Sequence, residues 1–369
     1  MAFIAEWLNT QMQAKAADMI VDDTVSNLQR REGLLDMVVP LKTYDSRHFL
    51  AYVMEELNTI ASVIGYGVEP PLTQQGTFRK VTAELLKTGL SRVYDEEYQW
   101  QMKEAMEEAA LKGVYVQSYR DPKSGKVVQG INNSLSQYIF GTVEGLAKSQ
   151  VELLDKMTWQ VLQTGKISHY DSRTKVPVDI SYINPYATYN HFPAPLAGGD
   201  KWDQKATANG LQNIYDAVDT YVDTNGFAPK MLVMSRKALN HLMQQQSTKD
   251  AATQIKGSAV GTVGPDLLGA ALEARQLPSI VTFDEMYKYE AEDKTTSNVR
   301  FLNDNQMVFM AEEMGQRAMG PTLEGKGVQG VYVVTREITK FPPVDATQSV
   351  CTAVPIFANP KLLYSQQVY

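Results

Sequence analysis

The sequence has little of what disulfide-bonded, zinc-binding and nucleic-acid-binding proteins depend on. Its single cysteine, Cys351, excludes a disulfide within the chain and a multi-cysteine zinc site. Lysine and arginine total 35 against 42 acidic residues, a net charge of −7. Without a basic tail, this balance argues against a protein that binds nucleic acid by neutralising phosphates.

Signals for export or membrane insertion are also missing. Met1–Trp7 has no positive region followed by an apolar stretch, so it does not resemble a secretory signal. No window approaches the ~20 apolar residues that a membrane-spanning helix needs. We expect an intracellular protein that is soluble or self-assembling.

Catalytic and cofactor motifs are equally scarce. Gly320–Gly327 has the spacing of a phosphate-binding loop, but Gly327 replaces the Ser or Thr that would hold magnesium, and a predicted strand follows instead of a helix. We interpret it as a flexible loop, and Cys351 as a small buried hydrophobe. We interpret the histidines, which lack ligand spacing, as surface or capping residues: His48, His169, His191 and His241. We therefore predict no catalytic, cofactor-binding or metal-binding residues.

Residues 1–48 are predicted to pack weakly. Trp7 lies in a stretch with one amphipathic helical turn, and charged residues then interrupt the apolar pattern. The segment is either a short surface helix with a linker, or an arm whose apolar side chains contact another subunit.

Residues 49–94 are predicted to form a long hairpin around Pro70-Pro71. Its apolar face is partial, and a hairpin alone is hard to stabilise. The basic residues on it are either solvated or paired with carboxylates of a neighbouring subunit. The candidate inter-subunit contacts are Phe78, Arg79, Lys80, Arg92 and Trp7.

The remaining chain is predicted to mix helices and strands. The stretch 95–111 favours a helix with Trp100 facing inward. Apolar residues recur at helical spacing over 134–164, and Gly165 suits a left-handed cap, which predicts a long spine helix or, alternatively, a coiled coil. Residues 204–340 favour a compact α/β domain, and an extended C-terminal stretch follows it.

This order of elements resembles that of tailed-phage major capsid proteins of the lambda-type capsid protein E family, which have the Hong Kong 97-like fold. Phe301–Val308 is similar to a segment in which F-L, D-N and M-V recur around a turn, and Gly320–Gly327 would be the variable loop that follows. Val344–Tyr369 resembles the family's closing segment, and Thr158–Lys166 resembles its helix end.

The resemblance implies an α+β subunit whose regions carry the family's names. They are the N-terminal arm 1–48, the E-loop hairpin 49–94, the peripheral domain 95–200 with the spine helix 134–164, the axial domain 201–340 and the C-terminal return 341–369.

The resemblance also implies a structural protein without enzymatic activity. Copies would form hexamers and pentamers of an icosahedral shell that encloses double-stranded DNA without sequence-specific binding. The shell would assemble in the host cytoplasm, with a scaffold, a portal and a decoration protein as partners. Two alternatives remain open: an encapsulin-like compartment shell, and a soluble α/β metabolic enzyme.

Overall fold

The structure is a computed structural model, and it describes most of the chain. Trp7, the run 60–68 and Pro70-Pro71 lie outside the described residues. The described ranges are 11–29, 33–46, 48–54, 78–111, 118–120, 127–129, 134–170, 177–182, 192–291, 293–325, 329–340, 343–357 and 359–369.

Helices and strands alternate along these ranges. The α-helices are α1 (Gln11–Gln29), α2 (Leu34–Val38), α3 (Glu96–Leu111), α4 (Ser134–Thr164), α5 (Gly210–Asn225), α6 (Arg236–Gln244), α7 (Gln246–Lys256) and α8 (Pro265–Glu273). The strands are β1 (Leu41–Thr43), β2 (His48–Met54), β3 (Phe78–Glu84), β4 (Leu86–Tyr94), β5 (Ser118–Arg120), β6 (Val127–Gln129), β7 (Lys166–Tyr170), β8 (Pro177–Ser181), β9 (Met231–Met234), β10 (Ser279–Thr282), β11 (Met286–Glu290), β12 (Thr296–Arg300), β13 (Gln306–Met310), β14 (Gly315–Gly320), β15 (Tyr332–Lys340), β16 (Pro343–Phe357) and β17 (Tyr364–Gln367).

The spine helix is α4, which occupies the predicted range 134–164. Its 31 residues span about 46 Å at 1.5 Å per residue. Gly165 ends it with φ of 70°, and its N–H donates to the Val161 carbonyl oxygen at 2.7 Å. A positive φ is open to glycine without steric cost, which explains why the helix ends here.

The larger sheet is built around β16, the longest strand. One edge of β16 pairs with β14 and β15, and the opposite edge pairs with β4 over residues 345–353. The short β1 adds to β14 in parallel. One face of this sheet packs on the spine helix, and the core between them includes Leu154, Cys351 and Ala353.

The smaller sheet has the order β10-β9-β13-β17, and its two central strands, β9 and β13, are buried on both faces. In β9, Leu232 and Met234 join the core beneath the helices that include α5 and α6, whereas Val233 joins the core of the spine helix. This alternation follows from the two-residue period of a strand. It explains why β9 is an unbroken apolar run.

The sheets divide the chain differently from the predicted ranges. Strands β14 and β15 fall in the predicted range 201–340 but pair in the larger sheet, and β17 of the predicted C-terminal return pairs in the smaller one. The predicted hairpin 49–94 also divides, because β2 pairs with β3 whereas β4 pairs with β16. Local patterns indicate strands, but long-range hydrogen bonds select their partners.

One part of the predicted arm 1–48, residues 35–41, is packed more firmly than predicted. Leu35, Val38, Val39 and Leu41 are buried in the core that contains the spine helix. This part of the predicted arm therefore has its apolar contacts within its own subunit. Among the described residues, no helix has the length and apolarity needed to cross a bilayer.

Candidate inter-subunit surface

The predicted contact residues lie on two different parts of the fold. Arg92 is exposed on β4, opposite Thr347 of β16. A Cβ added at Gly145 of the spine helix would lie 3.7 Å from its Nη2 atom. The Arg92 guanidinium therefore lies beside the spine helix of its own subunit and remains open to solvent.

The other predicted contacts are placed only in part. Phe78, Arg79 and Lys80 begin β3, where they pair with residues 54, 53 and 52 of β2 in a two-stranded ribbon. The backbone of this ribbon is described, but these side chains and Trp7 lie outside what the structure describes. The structure therefore brings three of the five predicted residues onto one ribbon and places Arg92 beyond it, on the larger sheet.

Sequence reasoning missed two exposed apolar side chains, one next to Arg92 on β4 and one on α3. Val93 is 59% exposed and Trp100 is 55% exposed, although Trp100 was predicted to face inward. Gln99 takes the inward position instead, because its amide donates to the carbonyl oxygens of Tyr94 (3.1 Å) and Pro343 (3.2 Å). The apolar pattern alone gives no sign of this exchange.

A braced turn displays a third apolar side chain. Leu323 is 93% exposed in the turn after β14. The Gly325 N–H donates to the Thr322 hydroxyl at 3.2 Å, and Glu324 forms an ion pair with Lys87 of β4. These contacts fix the turn, and the Leu323 side chain stays in solvent.

A buried cluster of charges attaches the N-terminal residues 34–43 to the spine helix and the larger sheet. The Arg317 side chain is 3% exposed and forms ion pairs with Asp36 of α2 and Asp155 of the spine helix. Its Nε–H also donates to the Val39 carbonyl oxygen at 2.8 Å. One guanidinium therefore joins α2, the spine helix and the larger sheet.

Chemical groups suited to catalysis do not converge in the part of the chain that the structure describes. Its His, Cys, Asp and Glu residues form no group able to hold a metal ion. Cys351 is fully buried, as predicted, and burial raises the pKa of its thiol to about 12. Of the predicted loop, residues 321–325 are described and form a turn, and the described chain resumes at 329 ahead of strand β15, so these described residues contain no helix N-terminus that could bind phosphate.

A groove of about 250 Å³ separates the end of the spine helix from the β11–β12 ribbon. Lys156 lies over the rings of Tyr287 and Tyr289, at 5.2 and 5.6 Å from their centroids. Arg300 is paired with Asp284 and Asp304. The groove is therefore lined by cationic, amide and aromatic side chains of the spine helix and the ribbon.

Comparison with known proteins identifies the family. The model of the phage major capsid protein E family matches residues 135–368. No curated protein sequence matches the chain.

Solved capsid structures have a similar fold. A prophage capsid protein from E. coli CFT073 is 13% identical, with a TM-score of 0.53 over 95% of this chain and 99% of that chain. The capsid protein of Myoviridae phage XM1 is 10% identical, with a TM-score of 0.46 over 91% of this chain and 90% of that one. The first similarity confirms the predicted α+β capsid fold of the Hong Kong 97 type. Because the family match spans more than half of the sequence, the chain belongs to the phage major capsid protein E family.

Proposed function

We propose that this chain is the subunit of an icosahedral phage shell, in which copies form hexamers and pentamers around double-stranded DNA. The observation that carries the proposal is the family match over residues 135–368. We further propose that the subunit works without catalysis, is located in the virion and assembles in the host cytoplasm.

The open surfaces of the subunit support self-assembly. The ribbon β2–β3 pairs with no other described strand, and a two-stranded ribbon is marginally stable by itself. Val93, Trp100 and Leu323 expose apolar area that a second copy would cover. Head-to-tail contacts between identical subunits close into rings when the rotation between neighbours divides a full turn, as it does in hexamers and pentamers.

The charge of the chain fits a container for DNA. A net charge of −7 gives little attraction between the subunit and phosphate. DNA inside such a shell is confined by the wall without being bound to it. A scaffold, a portal and a decoration protein are the partners that we propose for assembly and completion.

Negative-stain electron microscopy of the purified protein tests the proposal. We expect shells or capsomer sheets, with a scaffold added if one is needed. A uniform monomer or small oligomer across a range of salt, with and without the scaffold, would contradict it. Shells that copurify with a cargo enzyme instead of DNA would favour an encapsulin-like compartment.

Removal of the ribbon tests its role in assembly. His48 and Glu84 are paired neighbours, so an Asn-Gly turn can replace residues 49–83 and leave the buried Leu85 in place. We expect a folded subunit that forms no stable shells. A variant that assembles normally would show that the ribbon is dispensable, and loss of folding would show that the ribbon belongs to the core of the subunit.

A further inference from the structure

The groove between the spine helix and the β11–β12 ribbon carries positive charge. Among the described residues that line it, Lys156, Lys166 and Arg300 are cationic and none is acidic. Arg300 is already paired with Asp284 and Asp304. Lys166 is exposed at the start of β7, and no described carboxylate forms an ion pair with it. In a chain with a net charge of −7, a groove with this lining favours an anionic occupant.

The outer face of α5 carries the opposite charge. Asp216, Asp219 and Asp223 recur at three- and four-residue spacing and are all exposed, so they share one side of the helix, which we call the acidic face. The helix contains no lysine or arginine. Within the described ranges, none of the three aspartates forms an ion pair. The described part of the subunit therefore gives the acidic face no counter-charge.

The acidic face is unfavourable in an isolated subunit. Asp219 and Asp223 are four residues apart, and like charges at that spacing repel each other along a helix. Both lie in the C-terminal half of α5, where the helix dipole disfavours negative charge. Lys166, by contrast, lies just beyond the end of the spine helix, where the dipole favours a cation. A cation from another molecule would offset the repulsion on α5.

The groove and the acidic face lie on opposite sides of the smaller sheet. Ile214 and Tyr221 of α5 pack on one side of this sheet, in the core that includes Leu232. The spine helix packs on the other side, in the core that includes Val233. The two surfaces therefore cannot meet within one subunit, but they can meet between two copies related by a rotation.

We propose that the groove receives the acidic face of α5 from a second copy, and this rests on the proposed function. Each copy contributes one groove and one acidic face, so the contact is head-to-tail and repeats around a ring. Complementary charge selects the partner and sets its orientation.

Exposed apolar side chains flank both surfaces. Tyr215 and Phe227 are exposed on and just after α5. Met286 and Val299 are exposed on the β11–β12 ribbon, beside the groove. Burial of these side chains between two copies would add to the attraction between the charges.

Charge reversal tests the contact from both sides. Lys166→Asp and Asp219→Lys each place like charges in the contact, and we expect each to raise the protein concentration required for shells by about tenfold. The double variant exchanges the two charges and should recover assembly. The matched control, Lys256→Asp, reverses an exposed lysine of α7 and should assemble like the unmodified chain. A double variant that assembles no better than the single variants would overturn the inference.

Thermal unfolding of the unassembled subunit separates loss of the contact from loss of folding. Asp219→Lys removes the repulsion of Asp219 by Asp216 and by Asp223, so its melting temperature should not fall although its assembly weakens. A lowered melting temperature would refute the unfavourable acidic face on which the inference depends.

Carbodiimide crosslinking identifies the occupant of the groove. The reagent joins a carboxylate to a lysine amine in direct contact, so shells should yield amides between Lys166 and an aspartate of the acidic face. Shells made from a mixture of isotope-labelled and unlabelled copies should show that these amides join different subunits. Shells in which Lys166 reacts only with a scaffold, only with other carboxylates of the chain, or not at all would overturn the acidic face as the occupant.

The two proposals fail separately. If the unmodified chain forms no shells with or without a scaffold, the proposed function fails, and crosslinking of labelled and unlabelled subunits in concentrated solution still decides the contact. If shells form and Lys166 is not joined to the acidic face, only the inference about the groove fails.

Discussion

Replacing Arg317 with alanine should strongly destabilise the subunit and detach its N-terminal segment. The guanidinium is 3% exposed and is paired with Asp36 and Asp155, whose side chains are 14% and 18% exposed. Without it, two largely buried carboxylates lose their counter-charge, and the Val39 carbonyl oxygen loses its donor. Removal of one partner from a buried ion pair costs about 3–5 kcal/mol. We expect a loss of about 3 kcal/mol, since both carboxylates retain some contact with water.

Urea unfolding of the unassembled subunit measures this loss. The buried Trp159, which stacks on Phe283 with ring centroids 4.5 Å apart, is a fluorescence reporter close to the site. Hydrogen exchange over residues 34–43 reports separately on α2 and β1. Arg317→Lys keeps the charge but not the fork of donors, and should fall between the alanine variant and the unmodified chain.

A surface arginine provides the matched control. The Arg236 side chain is 84% exposed and lies 3.6 Å from Asp284. Exposed pairs contribute at most about 1 kcal/mol, so Arg236→Ala should change the free energy of unfolding by less than that. If Arg317→Ala costs no more than Arg236→Ala, the cluster does not hold the N-terminal segment and the reasoning is refuted.

Three further predictions concern packing and titration. Gly315→Ala should cost about 1–3 kcal/mol, because a Cβ would lie 2.2 Å from the Ile356 carbonyl oxygen. Gly141→Ala, on an open face of the spine helix, should instead raise the free energy of unfolding by up to about 1 kcal/mol. Urea midpoints measure both variants, and equal effects would contradict the packing argument. Cys351, with its pKa raised to about 12, should resist a thiol reagent at pH 8 until the chain unfolds, and rapid labelling of the folded protein would disprove this. Burial lowers the pKa of His241, so the stability that its neutral form contributes is present above its unfolded pKa of about 6.5 and is lost as the pH falls. His241→Gln should therefore flatten the dependence of stability on pH between about 5 and 7. An unchanged pH profile would be evidence against this role of His241.

Local signals made some features predictable. The spine helix and its end at Gly165 follow from helical spacing and one glycine, and both depend on neighbours a few residues apart. The burial of Cys351 follows from its apolar strand context. The inward position of Gln99 instead of Trp100 was not predictable, since it depends on the Pro343 carbonyl oxygen, which is remote in sequence.

The candidate surface was predictable only in outline. Arg92 was recognised as a possible contact, but the exposed side chains of Val93 and Trp100 were not. The role of Arg317 was also missed, because its partners lie 162 and 281 residues away along the chain. Charge pairs of this kind leave no local pattern.

The sequence by itself determined the family of the protein: the order of elements and short motifs such as Phe301–Val308 resemble the capsid protein E family, whose model matches residues 135–368. Only the tertiary structure decided that β4 pairs with β16 in the larger sheet, as its one partner among the described strands, and that part of the arm is buried in its own subunit. Strand pairing is decided by hydrogen bonds between distant segments, and the two-residue period of a strand is the same whichever partner it finds.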